Sequence, residues 1–137
     1  MVYGEFIESP QVQYAKLLTD NLPPSLNSVY FTNSGAEAIE GSMKLAKRIT
    51  NRTQIIAFKN SYHGSTQGAL SIIGDEYWRN AFRPLLPDVL HLEYNSFKSL
   101  DEISEKTACV IARNYTSGSR NYCSIKRMAA GTEKKMY

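Results

Sequence analysis

Short apolar runs and helix-spaced apolar positions take turns along the first 112 residues of this chain. Pro10 to Asp20 sets Val12, Ala15, Leu17 and Leu18 mostly on one helical face, and Asn21, Pro23 and Pro24 stop that helix. Ser28 to Thr32 (SVYFT) is rich in β-branched and aromatic residues and is predicted as a short strand. Ser34 then opens a helix running to about Thr50. Ser34 and Glu37 have capping-box spacing, and Ile39, Met43, Ala46 and Ile49 space an apolar face. Gln54 to Phe58 (QIIAF) has the continuous apolar run of a buried strand. Gly64 to Ile73 is rich in small residues and in part helical. Val89 to Glu93 and Ala108 to Ala112 (ACVIA) are further strands, with a short helix over Leu100 to Glu105 between them. Such alternation implies an α/β layer with parallel pairing and right-handed crossovers.

Composition narrows the class without naming a function. A chain of 137 residues suits one domain, and 42% hydrophobic with 21% charged residues excludes disordered, collagen-like and coiled-coil chains. No stretch reaches the roughly 18 apolar residues of a membrane span. The start, MVYGEFIESP, has no basic segment followed by an apolar block, so nothing reads as a signal peptide. Cys109 and Cys123 alone make no disulfide framework, which leaves a reducing cytoplasm as the expected compartment. No closely spaced Cys or His residues suggest structural zinc.

The net charge of +3 is unevenly placed. Residues 1–112 carry 10 Lys plus Arg against 12 Asp plus Glu. Residues 113–137 carry six basic residues against Glu133 alone, with no sustained apolar period. A basic arm for nucleic acid or an anionic membrane is one reading of such a tail, but its composition argues against a folded arm, and neither a nucleic-acid nor a membrane partner is expected.

Two short motifs carry candidate chemistry. In T32-N33-S34-G35-A36-E37-A38, a strand-to-helix turn is expected to point unpaired backbone N–H groups outward. With the helix dipole these make a phosphate-sized anion site. Gly35 would let the anion approach closely, and the Thr32 and Ser34 hydroxyls could add hydrogen bonds. The bland alternative is an ordinary capped helix. The turn is neither a Walker loop nor G-x-G-x-x-G. In S61-Y62-H63-G64-S65-T66, after QIIAF, an aromatic followed by His and Gly could stack on a flat heterocycle at a strand's C-terminal end. The alternative there is a turn with a surface His and a partly buried Tyr. His63 has no carboxylate partner in sight for acid–base work.

In this order, FTNSGAEAIEGSMKLAKR followed by IIAFKNSYHGSTQGALSI closely resembles the class III pyridoxal-phosphate-dependent aminotransferases, which include the ornithine, acetylornithine and 4-aminobutyrate enzymes. The resemblance covers about residues 1–112, PQVQYAKLL included. It implies part of the large domain of a fold-type I transferase, three-layered with a mostly parallel sheet. It also implies pyridoxal 5'-phosphate as cofactor, with its phosphate on Ser34, Gly35 and Ala36. The pyridine ring would lie on Tyr62, with His63 and Gly64 beside it. The implied reaction is amino transfer between an amino donor and an oxo acid or aldehyde, by a homodimer. Ornithine and acetylornithine members commonly carry Arg after the His-Gly, where it can hold a substrate carboxylate. This chain has Ser65, so their substrates do not carry over.

Family members are several hundred residues long, and the Schiff-base Lys and the Asp on the pyridine nitrogen have no counterpart here. No catalytic residue is therefore assigned, and this chain alone is expected not to transaminate. The seam at 112 has a candidate cause. Codons for residues 113–137 can be chosen so that a one-base slip reads ETIQAEAGITVPSKEWLQALRKKC, and ACVIAETIQAEAG continues the family's next strand and Glu-rich loop. The expectation is a one-nucleotide insertion at Ala112/Arg113, making 1–112 a partial large domain and 113–137 an out-of-frame tail. The competing function is a silent remnant that at most binds phosphate weakly. Among single residues, Cys109 is expected as a core thiol, His91 as a satisfied structural residue, and Tyr77 and Trp78 as core or interface packing.

Overall fold

The structure is a computed structural model and describes residues 9–113. The chain forms two compact units, residues 1–32 and 33–137. The expectation of a non-native tail therefore lies, from residue 114 onward, outside the described residues.

In the first unit, α1 spans Ser9–Asp20, as its periodicity predicts. The Asn21 side chain closes it by donating to the Leu17 carbonyl at 2.8 Å, and Lys16 pairs with Asp20. Its apolar face is not buried: Val12 and Leu17 are exposed, and α1 holds no buried residue. SVYFT is not a strand. A strand is held by its ladder partners, and no ladder includes residues 28–32 among the described residues. Tyr30 stands 83% exposed, while Phe31 stacks on Tyr14 with ring centroids 5.8 Å apart.

In the second unit, α2 spans Gly35–Thr50. Ser34 caps it, its Oγ accepting the Glu37 N–H at 3.2 Å. The return arm of the expected capping box lands one residue early: Glu37 Oε2 accepts from the Asn33 N–H at 2.7 Å. Glu37 near the start, and Lys47 and Arg48 near the end, all suit the helix dipole. Asn51, at φ 53, ends the helix and donates its N–H to the Lys47 carbonyl. Of the expected apolar face only Met43 is fully buried, and Ile49 is exposed.

The sheet has three strands in the order β2-β1-β3, all parallel. β1 is Gln54–Phe58, β2 Val89–Leu92 and β3 Thr107–Val110. β1 is central and covered on both faces, which explains why its sequence is continuously apolar. Ile55 and Ala57 pack with Met43 of α2 and with Ile72. Ile56 and Phe58 point the other way, onto Leu92 and Leu100. Leu100 belongs to a 3-10 turn, Lys98–Glu102, where the sequence predicted a helix beginning two residues later. Helix α3 is only Gln67–Ser71, and α4 is Glu76–Arg79. Tyr77 and Trp78 on α4 are not core. They are exposed and pack edge-to-face on each other, at a 5.0 Å centroid distance. His91 is half-buried with Nε2 3.3 Å from the Ile72 carbonyl, as a structural histidine should be. Cys109 is partly buried, and burial pushes its thiol pKa up, which leaves it a poor nucleophile.

Candidate cofactor cleft

Both motifs border one open cleft of about 610 Å³. Ser34, Gly35 and Ala36 form one wall, at the start of α2. Tyr62, His63 and Gly64, just past β1, form another. The volume is in the range of pockets that take small ligands. The first motif reaches the cleft without the expected preceding strand. The close approach of the two walls is made by Gly64, whose φ of +134 and missing side chain bring it against Ala36.

The phosphate-like wall is built from backbone. The N–H groups of Gly35 and Ala36 lie in the first turn of α2, where no intrahelical acceptor exists, and no hydrogen bond from them is formed among the described residues. A Cβ placed on Gly35 would meet nothing within 4 Å. The side of residue 35 where a side chain would stand is therefore open, so nothing on that side blocks an anion from the helix start.

The other wall reverses the bland reading of its sequence. Tyr62 is the exposed residue, 41% accessible, and His63 is the buried one at 6%. Tyr62 is held by its hydroxyl, 2.9 Å from Ser65 Oγ, which leaves the ring to border the cleft. Ser65 thus anchors the aromatic side chain. His63 Nε2 lies 2.9 Å from Ser61 Oγ, and Ser61 Oγ donates to the Phe58 carbonyl at 2.5 Å. The serine proton is committed to that carbonyl, so the serine must accept from His63. This makes Nε2 the protonated ring nitrogen. Burial, then the nearby Arg113 charge, then His91, push the His63 pKa down to about 4. The ring is neutral at pH 7.

Arg113, the first residue of the expected out-of-frame tail, also borders the cleft, and sequence reasoning did not place it there. It follows β3, whose C-terminal end lies beside that of β1 in the parallel sheet. Its Nη1 donates to the Tyr62 carbonyl at 2.7 Å, and its guanidinium stands 5.9 Å from the centre of the Tyr62 ring. The Tyr94 hydroxyl donates to the Arg113 carbonyl at 3.0 Å. Among the described residues bordering the cleft, Arg113 is the one formal charge. The one signal in reach, a basic residue after a strand, does not mark it without the sheet topology. No group of three His, Cys, Asp or Glu that could hold a metal occurs among the described residues. No described helix is long and apolar enough to cross a membrane.

The sequence profile of the family described as aminotransferase class-III matches residues 1–121. The chain belongs to the class-III aminotransferase family. An acetylornithine aminotransferase of Methanopyrus kandleri is 39% identical over 107 residues, covering 77% of this chain and 28% of that relative. Among solved structures, the adenosylmethionine-8-amino-7-oxononanoate aminotransferase of Methanocaldococcus jannaschii superimposes with a TM-score of 0.85 at 27% identity, over 98% of this chain and 34% of that one. The taurine:2-oxoglutarate aminotransferase of Bifidobacterium kashiwanohense, solved with PLP and glutamate, shares the fold, with a TM-score of 0.77 at 22% identity. That match covers 96% of this chain and 36% of the other. The chain thus spans about a third of the length of these proteins. Their fold agrees with the α/β arrangement and parallel sheet of the second unit.

Proposed function

We propose that the cleft holds pyridoxal 5'-phosphate, and that the intact protein transfers an amino group between an amino donor and an oxo acid or aldehyde. The observation that carries this reading is the meeting of the two motifs: the Gly35 and Ala36 amides and the Tyr62 ring border one cleft. Family membership supports the cofactor, and so does the neighbour solved with PLP.

The residues present fit the group. The Gly35 and Ala36 N–H groups would donate to the phosphate, and the positive end of α2 would favour its charge. Ser34 holds that helix end in shape by capping Glu37. Tyr62 offers a ring face to the pyridine, its tilt fixed by Ser65. His63, being neutral, adds no charge, and Gly64 keeps the two walls together. When bound, the cofactor supplies an electron sink for the carbon that carries the amino group.

Assembly as a homodimer and residence in the cytoplasm belong to the same proposal. So does the reading of residues 1–112 as part of a large domain followed by an out-of-frame tail. Resequencing the gene across codon 112 tests that last point: downstream DNA that does not encode the ETIQAEAG continuation in the shifted frame would remove it. The cofactor itself is tested by titrating the full chain with pyridoxal 5'-phosphate and following its absorbance and fluorescence. Saturable binding that inorganic phosphate displaces is expected. Binding that survives Gly35→Val unchanged would refute the phosphate wall.

A further inference from the structure

The start of α2 and the turn carrying Tyr62 come from separate stretches of chain, so something must set the distance between them. Gly64 against Ala36 is one tie. The second is a carboxylate on α2 that the cleft itself does not include. Glu40 Oε1 accepts three hydrogen bonds from the far end of the Tyr62 turn: from Thr66 Oγ1 at 2.6 Å, from the Gly68 N–H at 2.9 Å and from the Ala69 N–H at 3.1 Å. Thr66 is the N-cap of α3 but makes no side-chain cap bond of its own, so Glu40 caps α3 from another helix. Gly68 matches this arrangement, because a Cβ there would run into the Glu40 carboxylate.

We propose that Glu40 is a positioning residue, which fixes the spacing of the phosphate wall and the ring wall by tying the 66–69 turn to α2. The proposal rests on the cofactor reading above for its consequence, though not for the tie itself. A phosphate ion needs only the α2 start, whose cap is made locally by Ser34 and Glu37. A ligand with both a phosphate and a ring needs both walls at the right distance. Loss of Glu40 should therefore separate two affinities that a general loss of stability would move together.

The test uses the full chain, with inorganic phosphate and pyridoxal 5'-phosphate as probes, and the variants Glu40→Ala and Glu40→Gln. Glu40→Ala should weaken pyridoxal 5'-phosphate binding about tenfold, as expected for losing hydrogen bonds to a charged acceptor, and leave inorganic phosphate within about twofold. Glu40→Gln should restore most of the loss, since one carbonyl oxygen can take all three donors. Amide hydrogen exchange adds a readout that needs no ligand: Gly68 and Ala69 should be protected in the parent and in Glu40→Gln. In Glu40→Ala they should exchange fast, with β1 still protected. Equal weakening of both probes, unchanged affinity for both, or a Glu40→Gln variant as weak as Glu40→Ala would overturn the proposal. If Glu40→Ala fails to fold, Glu40→Gln and Gly68→Ala carry the test through the same exchange signal. A parent that binds phosphate but no pyridoxal 5'-phosphate would sink the cofactor reading, while the exchange pattern still decides the tie.

Discussion

A Cβ built on Gly64 would stand 2.6 Å from the Cβ of Ala36 and 3.0 Å from its Cα. This approach joins two motifs through residues 28 positions apart in the sequence, and it exists because residue 64 has no side chain and a φ of +134. Gly64→Ala combines a steric clash with a backbone conformation closed to L side chains. It should cost on the order of 2–4 kcal/mol in urea unfolding and weaken any ligand that touches both walls. A variant as stable as the parent would mean that the walls do not meet this way.

Gly35→Val is the opposite case. Nothing lies within 4 Å of the new side chain's first carbon. Stability should stay within about 1 kcal/mol of the parent, because valine at the first helical position replaces the poorer helix former glycine. Phosphate binding, read by isothermal titration, should be lost, since the side chain would fill the space before the amides.

Tyr62→Phe and Tyr62→Ala separate the ring from its hydroxyl. The first loses only the bond to Ser65 and should keep most of the affinity for pyridoxal 5'-phosphate. The second loses the stacking face, with an expected cost of about 1 kcal/mol or more in ring binding, and spares inorganic phosphate. Equal affinity of Tyr62→Ala and the parent for the ring ligand would remove Tyr62 from the site.

His63 sets a pH window. Its pKa is pushed down to about 4 from an ordinary 6.5 by burial, Arg113 and His91. Below about pH 6.5 the unfolded chain takes up a proton that the folded chain refuses, so stability falls as the pH drops from about 6.5 to about 4. At pH 7 this contribution is fully present, and between the two limits roughly 2 kcal/mol is lost, allowing for the solvent that reaches the cleft. Nitrogen NMR of the histidines should show Nε2 protonated and Nδ1 bare at pH 7. Arg113→Ala removes the second cause and should raise the His63 pKa. A ring protonated at Nδ1 would contradict the Ser61 relay.

Much of the scaffold was legible without coordinates because its signals are local. The cap at Ser34, the α2 span, the buried run of β1 and the parallel alternation each depend on neighbours within a few residues or on a face that must be covered. The pairing of the two motifs was legible through the family resemblance, which carries long-range information that periodicity lacks. Where local reasoning failed, a distant partner decided the outcome. SVYFT has strand composition but no ladder, and Ile49 and Leu17 have helix-face spacing but nothing covering them. Composition cannot report whether a partner is there.

By itself the sequence determined an α/β chain of the class-III aminotransferase family, with a capped helix start and an aromatic-His-Gly turn as its chemistry. The tertiary structure decided which of Tyr62 and His63 is exposed and which buried, that Ser61 sets the tautomer of His63, and that Arg113, past β3, and Glu40, on α2, both bond to the segment from Tyr62 to Ala69. These are the relations that cross the sheet or pass between helices. They depend on strand order and on close backbone approach at Gly64 and Gly68, and a linear spacing of residue types contains neither.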